Sequence, residues 1–121
     1  MMVIKNRYGD VEKYITKDGS EIRELMHPLQ HGCKNQSLAE ATILAGCETR
    51  LHRHEVTEEI YYILSGNGLK RLGDEQFAVV TGDVVCIAPT TAHNIRNTGD
   101  QVLVLLCCCS PAYSHDDTYI C

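Results

Sequence analysis

The chain has no basic cluster longer than Lys70-Arg71, and its formal net charge is −5 over 121 residues. Binding to a phosphate backbone needs basic patches, so a nucleic-acid partner is not expected. The longest apolar run, Val102 to Cys109, is too short to span a bilayer, so no membrane partner is expected either. Seven cysteines include no Cys-x-x-Cys pair. Cys107, Cys108 and Cys109 are consecutive, Cys33, Cys47 and Cys86 are scattered, and Cys121 stands alone, which is not the spacing of a disulfide framework. The segment Met1-Met2-Val3-Ile4-Lys5 has no signal-peptide character, so the expected setting is a reducing cytoplasm with free thiols. Linkers, repeats and low-complexity segments are also missing, and the length fits one domain. Such a chain can bury a core without disulfides or metal as a staple.

What is present is a series of short apolar stretches separated by glycine-containing turns. After about Gln36 these are Leu38 to Leu44, Glu59 to Leu64, Gln76 to Val80, Val84 to Ile87, His93 to Asn97 and Gln101 to Cys109. The punctuation is Gly46, Ser65-Gly66-Asn67-Gly68, Gly73-Asp74, Gly82-Asp83 and Gly99-Asp100. Many short strands with regular turns predict an all-β sandwich or barrel, and no segment here has helical periodicity. The expected layout is a single domain over residues 1–121. It divides into an N-terminal extension (1–35), a barrel core (36–110) and a C-terminal tail (111–121). In the extension, the turn Lys17-Asp18-Gly19-Ser20 is flanked by possible strands over Val11 to Thr16 and Glu21 to Leu25, with a short helix over Glu21 to Met26 as the competing reading. His27 precedes Pro28 and should be extended.

One constellation carries chemistry. In a strand, His52 and His54 project to one face and Arg53 to the other. Glu59 is out of phase with His54, so a turn at Glu55-Val56-Thr57 must return the chain and set Glu59 opposite the histidines. His93 adds a third imidazole from another strand. Three imidazoles and a carboxylate can close around one divalent transition metal ion, and a mixed set with open positions suits Fe, Mn, Ni or Zn.

The spacing resembles the cupin superfamily. The first motif reads Gly46, five residues, His52, one residue, His54, four residues, Glu59, six residues, Gly66. The second reads Gly82-Asp83, then Pro89, then His93, three residues, Asn97. Two turn positions depart from the family pattern, with Ala88 where cupins usually have Pro and Thr90 where they usually have Gly. The resemblance implies a double-stranded β-helix, or jelly-roll barrel, with His52, His54, Glu59 and His93 as metal ligands. It implies a homodimer and a small-molecule substrate or ligand, but no single chemistry. Metal-dependent oxygenation comes first, isomerase or lyase chemistry next. The rival reading is a non-catalytic sugar- or metabolite-binding cupin that acts through a partner protein.

Tyr61 shares the parity of Glu59 and is the candidate acid/base or substrate anchor; its other reading is a core tyrosine. Tyr62 should face outward. Cys107 and Cys109 share one face of the last strand and Cys108 takes the other. A redox or substrate-contacting pair competes there with small apolar filler, and no neighbouring base favours the filler. His27 and His31 could reach the cavity mouth, whereas loop histidines are mostly solvated. His115 lies in a polar tail whose default is mobility. Asn97 is expected to fix a turn. Among Arg50, Arg53, Lys70, Arg71 and Arg96, parity points Arg53 and Arg96 outward, which weakens the case for a strongly anionic substrate.

Overall fold

The computed structural model describes residues 2–121, and its strands form two antiparallel sheets packed face to face. The first sheet runs in the order β1 (Lys13–Ile15), β2 (Glu21–Met26), β3 (Ser37–Ile43), β10 (Leu103–Ser110), β5 (Glu58–Ser65) and β8 (Val84–Ile87). The second runs β11 (Thr118–Ile120), β4 (His52–His54), β9 (His93–Asn97), β6 (Asn67–Leu72) and β7 (Glu75–Val80). From β3 onward the chain passes repeatedly from one sheet to the other, apart from the β6–β7 hairpin, and the result is the expected all-β double-stranded β-helix.

Alternation decides which residues meet between the sheets. β3 and β10 bury every second side chain, so Ala39, Ala41 and Ile43 lie beside Cys107, Leu105 and Leu103 on the inner face of the six-stranded sheet. Ile63, Ile87 and Ile95 complete the centre, each almost wholly buried. Burying an aliphatic side chain of this size stabilises by roughly 1.5–3 kcal/mol. The small Ala39 and Ala41 leave space at one end of the core, where the site lies.

Residues Glu21–Met26 are strand, in line with the strand reading over Glu21 to Leu25, and the competing helix does not form, because Ile22 and Glu24 point inward at period two. The extension is therefore part of the six-stranded sheet, followed by a one-turn helix α1 (Pro28–His31) entered from an extended His27. β6 lies where the sequence shows glycine punctuation and no apolar stretch. Its inward positions are Gly68 and Lys70, which carry no apolar signal. Gly68 is required there, since a Cβ would stand 2.6 Å from the Arg96 carbonyl oxygen. The C-terminal tail, expected to be mobile, instead supplies β11, which pairs with β4 in the register Thr118↔His54 and Ile120↔His52. Lys17 Nζ also donates to the carbonyls of His115 (2.7 Å) and Thr118 (3.1 Å) and ties this segment to the first hairpin.

Candidate metal centre

His52 and His54 are both buried on the inner face of β4. His93 stands directly across from His52 in the β4–β9 pair, and their ring centroids are 4.2 Å apart. One nitrogen from each of the three rings lies within 4.8 Å of the other two. The opposite sheet contributes Glu59, at the start of β5, whose Oε1 stands 3.3 Å from His93 Nε2 and 3.5 Å from His54 Nε2.

Hydrogen bonding fixes which nitrogen faces the gap. The Arg50 and Thr91 carbonyls can only accept, so His52 Nδ1 donates to Arg50 (2.7 Å) and His93 Nδ1 to Thr91 (3.0 Å). Thr118 Oγ1 donates to the Ser114 carbonyl (2.8 Å) and so accepts from His54 Nδ1 (3.2 Å). Each ring then turns the Nε2 lone pair inward, the arrangement that orients metal-binding imidazoles. Glu59 Oε1 and His93 Nε2 are buried without a hydrogen-bond partner. An orphaned carboxylate oxygen beside inward-facing imidazole lone pairs fits a divalent cation; the cluster could hold a metal.

The turn between β4 and β5 is held from the C-terminal segment. The Asp117 carboxylate accepts from the backbone N–H groups of Glu55, Val56 and Thr57 at 3.1–3.2 Å. Thr57 Oγ1 donates to the Pro111 carbonyl at 2.9 Å. This clamp sets the return of the chain that brings Glu59 opposite β4.

Electrostatics follow from burial and mutual contact. Burial, with the nearby His93, lowers the His52 imidazole to about 4, so its lone pair is free at neutral pH. Burial would lower His54, but contact with Glu59 outweighs it and raises this ring. Burial would likewise raise the Glu59 carboxyl, yet contact with His54 and His93 holds it well below the usual carboxylate range. The cluster thus contains a fixed negative charge in a dry setting, which attracts a proton or a metal cation.

A cavity of about 40 Å³ adjoins the cluster, room for about three waters. Tyr61 is in its wall, buried, with burial pushing the phenol well above its ordinary range. Cys107 and Cys109 also line it, so the filler reading was incomplete. The Cys109 thiol donates to Glu59 Oε2 at 3.4 Å, and burial raises both thiols. His27 instead caps α1 and bonds the Tyr113 carbonyl, His31 bonds Asn6, and His115 bonds the Tyr113 hydroxyl. Asn97 donates to the Ile43 and Gln101 carbonyls and accepts from Gly99 N, the expected turn role. Arg53 and Arg96 point away from the cavity, as parity required.

Sequence reasoning missed Asp18 and Glu24 at the site and left the direction of Lys70 open. Asp18, read as a turn residue, lines the cavity with Oδ2 3.7 Å from His52 Nε2. Glu24 is buried there too; Oε2 accepts from the Tyr14 hydroxyl (3.0 Å) while Oε1 has no partner. Lys70 is fully buried under the Tyr61 ring, its Nζ 4.1 Å from the centroid, and burial lowers it to about 8. Period-two parity on β2 could have flagged Glu24; the other two depend on tertiary packing.

Two facing antiparallel sheets with a histidine cluster between them define a jelly-roll protein with a possible metal site. The chain matches the cupin domain family over residues 39–109. It belongs to the cupins. An uncharacterized protein of Methanocaldococcus jannaschii is 52% identical over 99% of this chain and 96% of its own length. The oxalate-binding protein of Thermotoga maritima is 33% identical over 69% of this chain and 65% of that protein. Among solved structures, Streptomyces PAC13 with uridine superposes with a TM-score of 0.82 over 100% of this chain and 92% of that one. At 15% identity, that likeness is one of fold.

Proposed function

We propose that the protein is a metal-dependent enzyme acting on a small polar metabolite, with His52, His54, Glu59 and His93 holding one divalent transition ion. The observation that carries this reading is the unpartnered, buried Glu59 Oε1 set against imidazoles whose Nδ1 atoms are all engaged elsewhere. A bound ion (Fe, Mn, Ni or Zn) supplies Lewis-acid or redox capacity to a substrate. The chain's own residues do the rest. The cavity, with room for about three waters, favours a small substrate. Tyr61 offers a phenol that burial keeps protonated and that can serve as a hydrogen-bond donor. Cys109 holds Glu59 Oε2, leaving Oε1 for the ion. Oxygenation ranks first among reactions, isomerase or lyase chemistry second.

Elemental analysis tests the ligand set. Glu59→Gln and His93→Ala are expected to lower metal content, and unchanged stoichiometry in both would remove the assignment. O2 uptake by Fe(II)-loaded protein with thiols, diketones, phenols and organic acids tests the oxygenase. No uptake with any of them would end that ranking. A second reading, a non-catalytic binding cupin acting through a partner protein, is favoured by the likeness to an oxalate-binding protein. Saturable ligand binding without turnover would select it. We also infer a single cupin domain over residues 1–121, a homodimer, and a reducing cytoplasmic setting, the last supported by seven free cysteines. Among the described residues no helix is long and apolar enough to cross a membrane.

A further inference from the structure

We propose that Asp18 is a fifth ligand of the same site, delivered by the hairpin between β1 and β2. The inference rests on the metal reading above and deepens it. Two ligand atoms on one transition ion stand about 3 to 3.7 Å apart when each is about 2.1 Å from the ion and the angle between them is 90–120°. Glu59 Oε1 meets this spacing against His54 and His93 at 3.5 and 3.3 Å. Asp18 Oδ2 meets it against His52 Nε2, at 3.7 Å. Together the two carboxylates contact all three imidazoles.

The carboxylate is pre-oriented. Asp18 Oδ1 accepts from Thr16 Oγ1 (2.6 Å), Ser20 N (2.9 Å) and Ser20 Oγ (2.6 Å). These three contacts occupy one oxygen and leave Oδ2 for the cluster. His52 Nδ1 is committed to the Arg50 carbonyl, so Nε2 is the ring nitrogen turned towards Asp18. An imidazole nitrogen and a carboxylate oxygen at this spacing can both bind one cation. The side chain of Asp18 is 13% exposed and that of His52 4%, so water does little to screen the pair.

The hairpin is anchored where this role needs it. Arg50 N donates to the Asp18 carbonyl at 2.8 Å, tying the turn to the segment that leads into β4. Lys17 Nζ ties the neighbouring residue to the C-terminal segment. The turn is thereby fixed on both sides of the histidine strand. A site with three nitrogens and two carboxylate oxygens suits ions that prefer higher coordination, such as Mn(II) and Fe(II), over Zn(II), which three imidazoles and Glu59 already satisfy.

The test uses the full chain stripped of metal, titrated with Mn(II) and Zn(II) against a competing chelator, and separately loaded with Co(II). Asp18→Asn is expected to weaken Mn(II) binding about tenfold or more and Zn(II) binding less. The Co(II) visible absorption should intensify as the coordination number falls. Glu59→Gln, in parallel, should weaken both metals. Equal Mn(II) affinity and an unchanged Co(II) spectrum in Asp18→Asn would overturn the assignment of Asp18 while leaving the four-ligand site standing. Wild-type protein that binds neither metal would overturn both. If Asp18→Asn fails to fold by circular dichroism, Asp18→Ser, which also suits a turn, carries the same comparison.

Discussion

Thr90 holds a backbone conformation that β-branched residues avoid. Its φ is 70°, in the left-handed region, at the position where the cupin pattern has Gly. The strain is kept because Thr90 N donates to the His54 carbonyl at 2.6 Å and so ties the β8–β9 turn to the histidine strand. The left-handed region costs a residue such as Thr about 1–2 kcal/mol, and Gly returns roughly half of that through its freer unfolded chain. Thr90→Gly is expected to stabilise by about 0.5–1 kcal/mol, a rise of a few degrees in a thermal melt. A lower midpoint would contradict the strain. Lys70 gives a second prediction. Its ammonium sits in a dry site, and burial lowers it to about 8 from an ordinary 10.5. The group's penalty is full below pH 8, where both states carry the charge. It fades as pH rises towards 10.5, where the folded protein has shed the proton first. Lys70→Met should therefore be more stable than wild type by up to about 3 kcal/mol at pH 7, with the gap closing between pH 8 and 10.5. Urea melts of both proteins without metal at several pH values measure it; a pH-independent gap would refute the burial argument. The clustering of His52, His54 and His93 was legible because ligand chemistry constrains type and spacing along the chain. Lys70 and Asp18 were not, because nothing local says that a lysine or a turn aspartate will face a core.

At the scale of the elements, strands with one apolar face were legible and strands without one were not. Val84–Ile87 and His93–Asn97 match their expected bounds, while β3, β5, β7 and β10 differ by one or two residues at their ends. β6 escaped because Gly68 and Lys70 occupy its inner face. β11 escaped because three residues after Ser114-His115-Asp116-Asp117 make no pattern. Its order comes from pairing with β4 and from the Asp117 clamp, both far away in sequence. The clamp is testable. Asp117→Ala removes the acceptor for three backbone N–H groups around Val56, a loss of about 1–2 kcal/mol. The β4–β5 turn loosens and Glu59 loses its fixed approach to His54 and His93. We expect a lower melting temperature together with about tenfold weaker metal binding, although Asp117 touches no imidazole. Full metal affinity in a destabilised variant would separate the clamp from the site.

At the scale of the whole molecule, the outer face of the six-stranded sheet is the surface the interior does not explain. Leu38, Cys108, Ile60 and Cys86 stand side by side across β3, β10, β5 and β8, and Leu106, Tyr62 and Val84 form the adjoining row. Ile60 is 40% exposed, Tyr62 42% and Val84 63%. Glu40 beside Leu106 and Glu58 at the start of β5 flank these rows, and an apolar run of this kind marks an interaction surface. In the proposed homodimer a second copy of the chain would cover these rows. With a net charge of −5, two molecules repel each other unless they meet through an apolar face, and a twofold axis lets the same rows pack on themselves. Cys86 and Cys108 are free thiols within these rows. The wild-type protein is expected to scatter light at twice 13.5 kDa. Tyr62→Lys places a like charge from each copy in that face and should return the mass to that of the single chain, while the circular dichroism spectrum stays unchanged because the side chain lies outside the core. A wild type already at 13.5 kDa, or a Tyr62→Lys protein still at double mass, would show that the rows are not where copies meet.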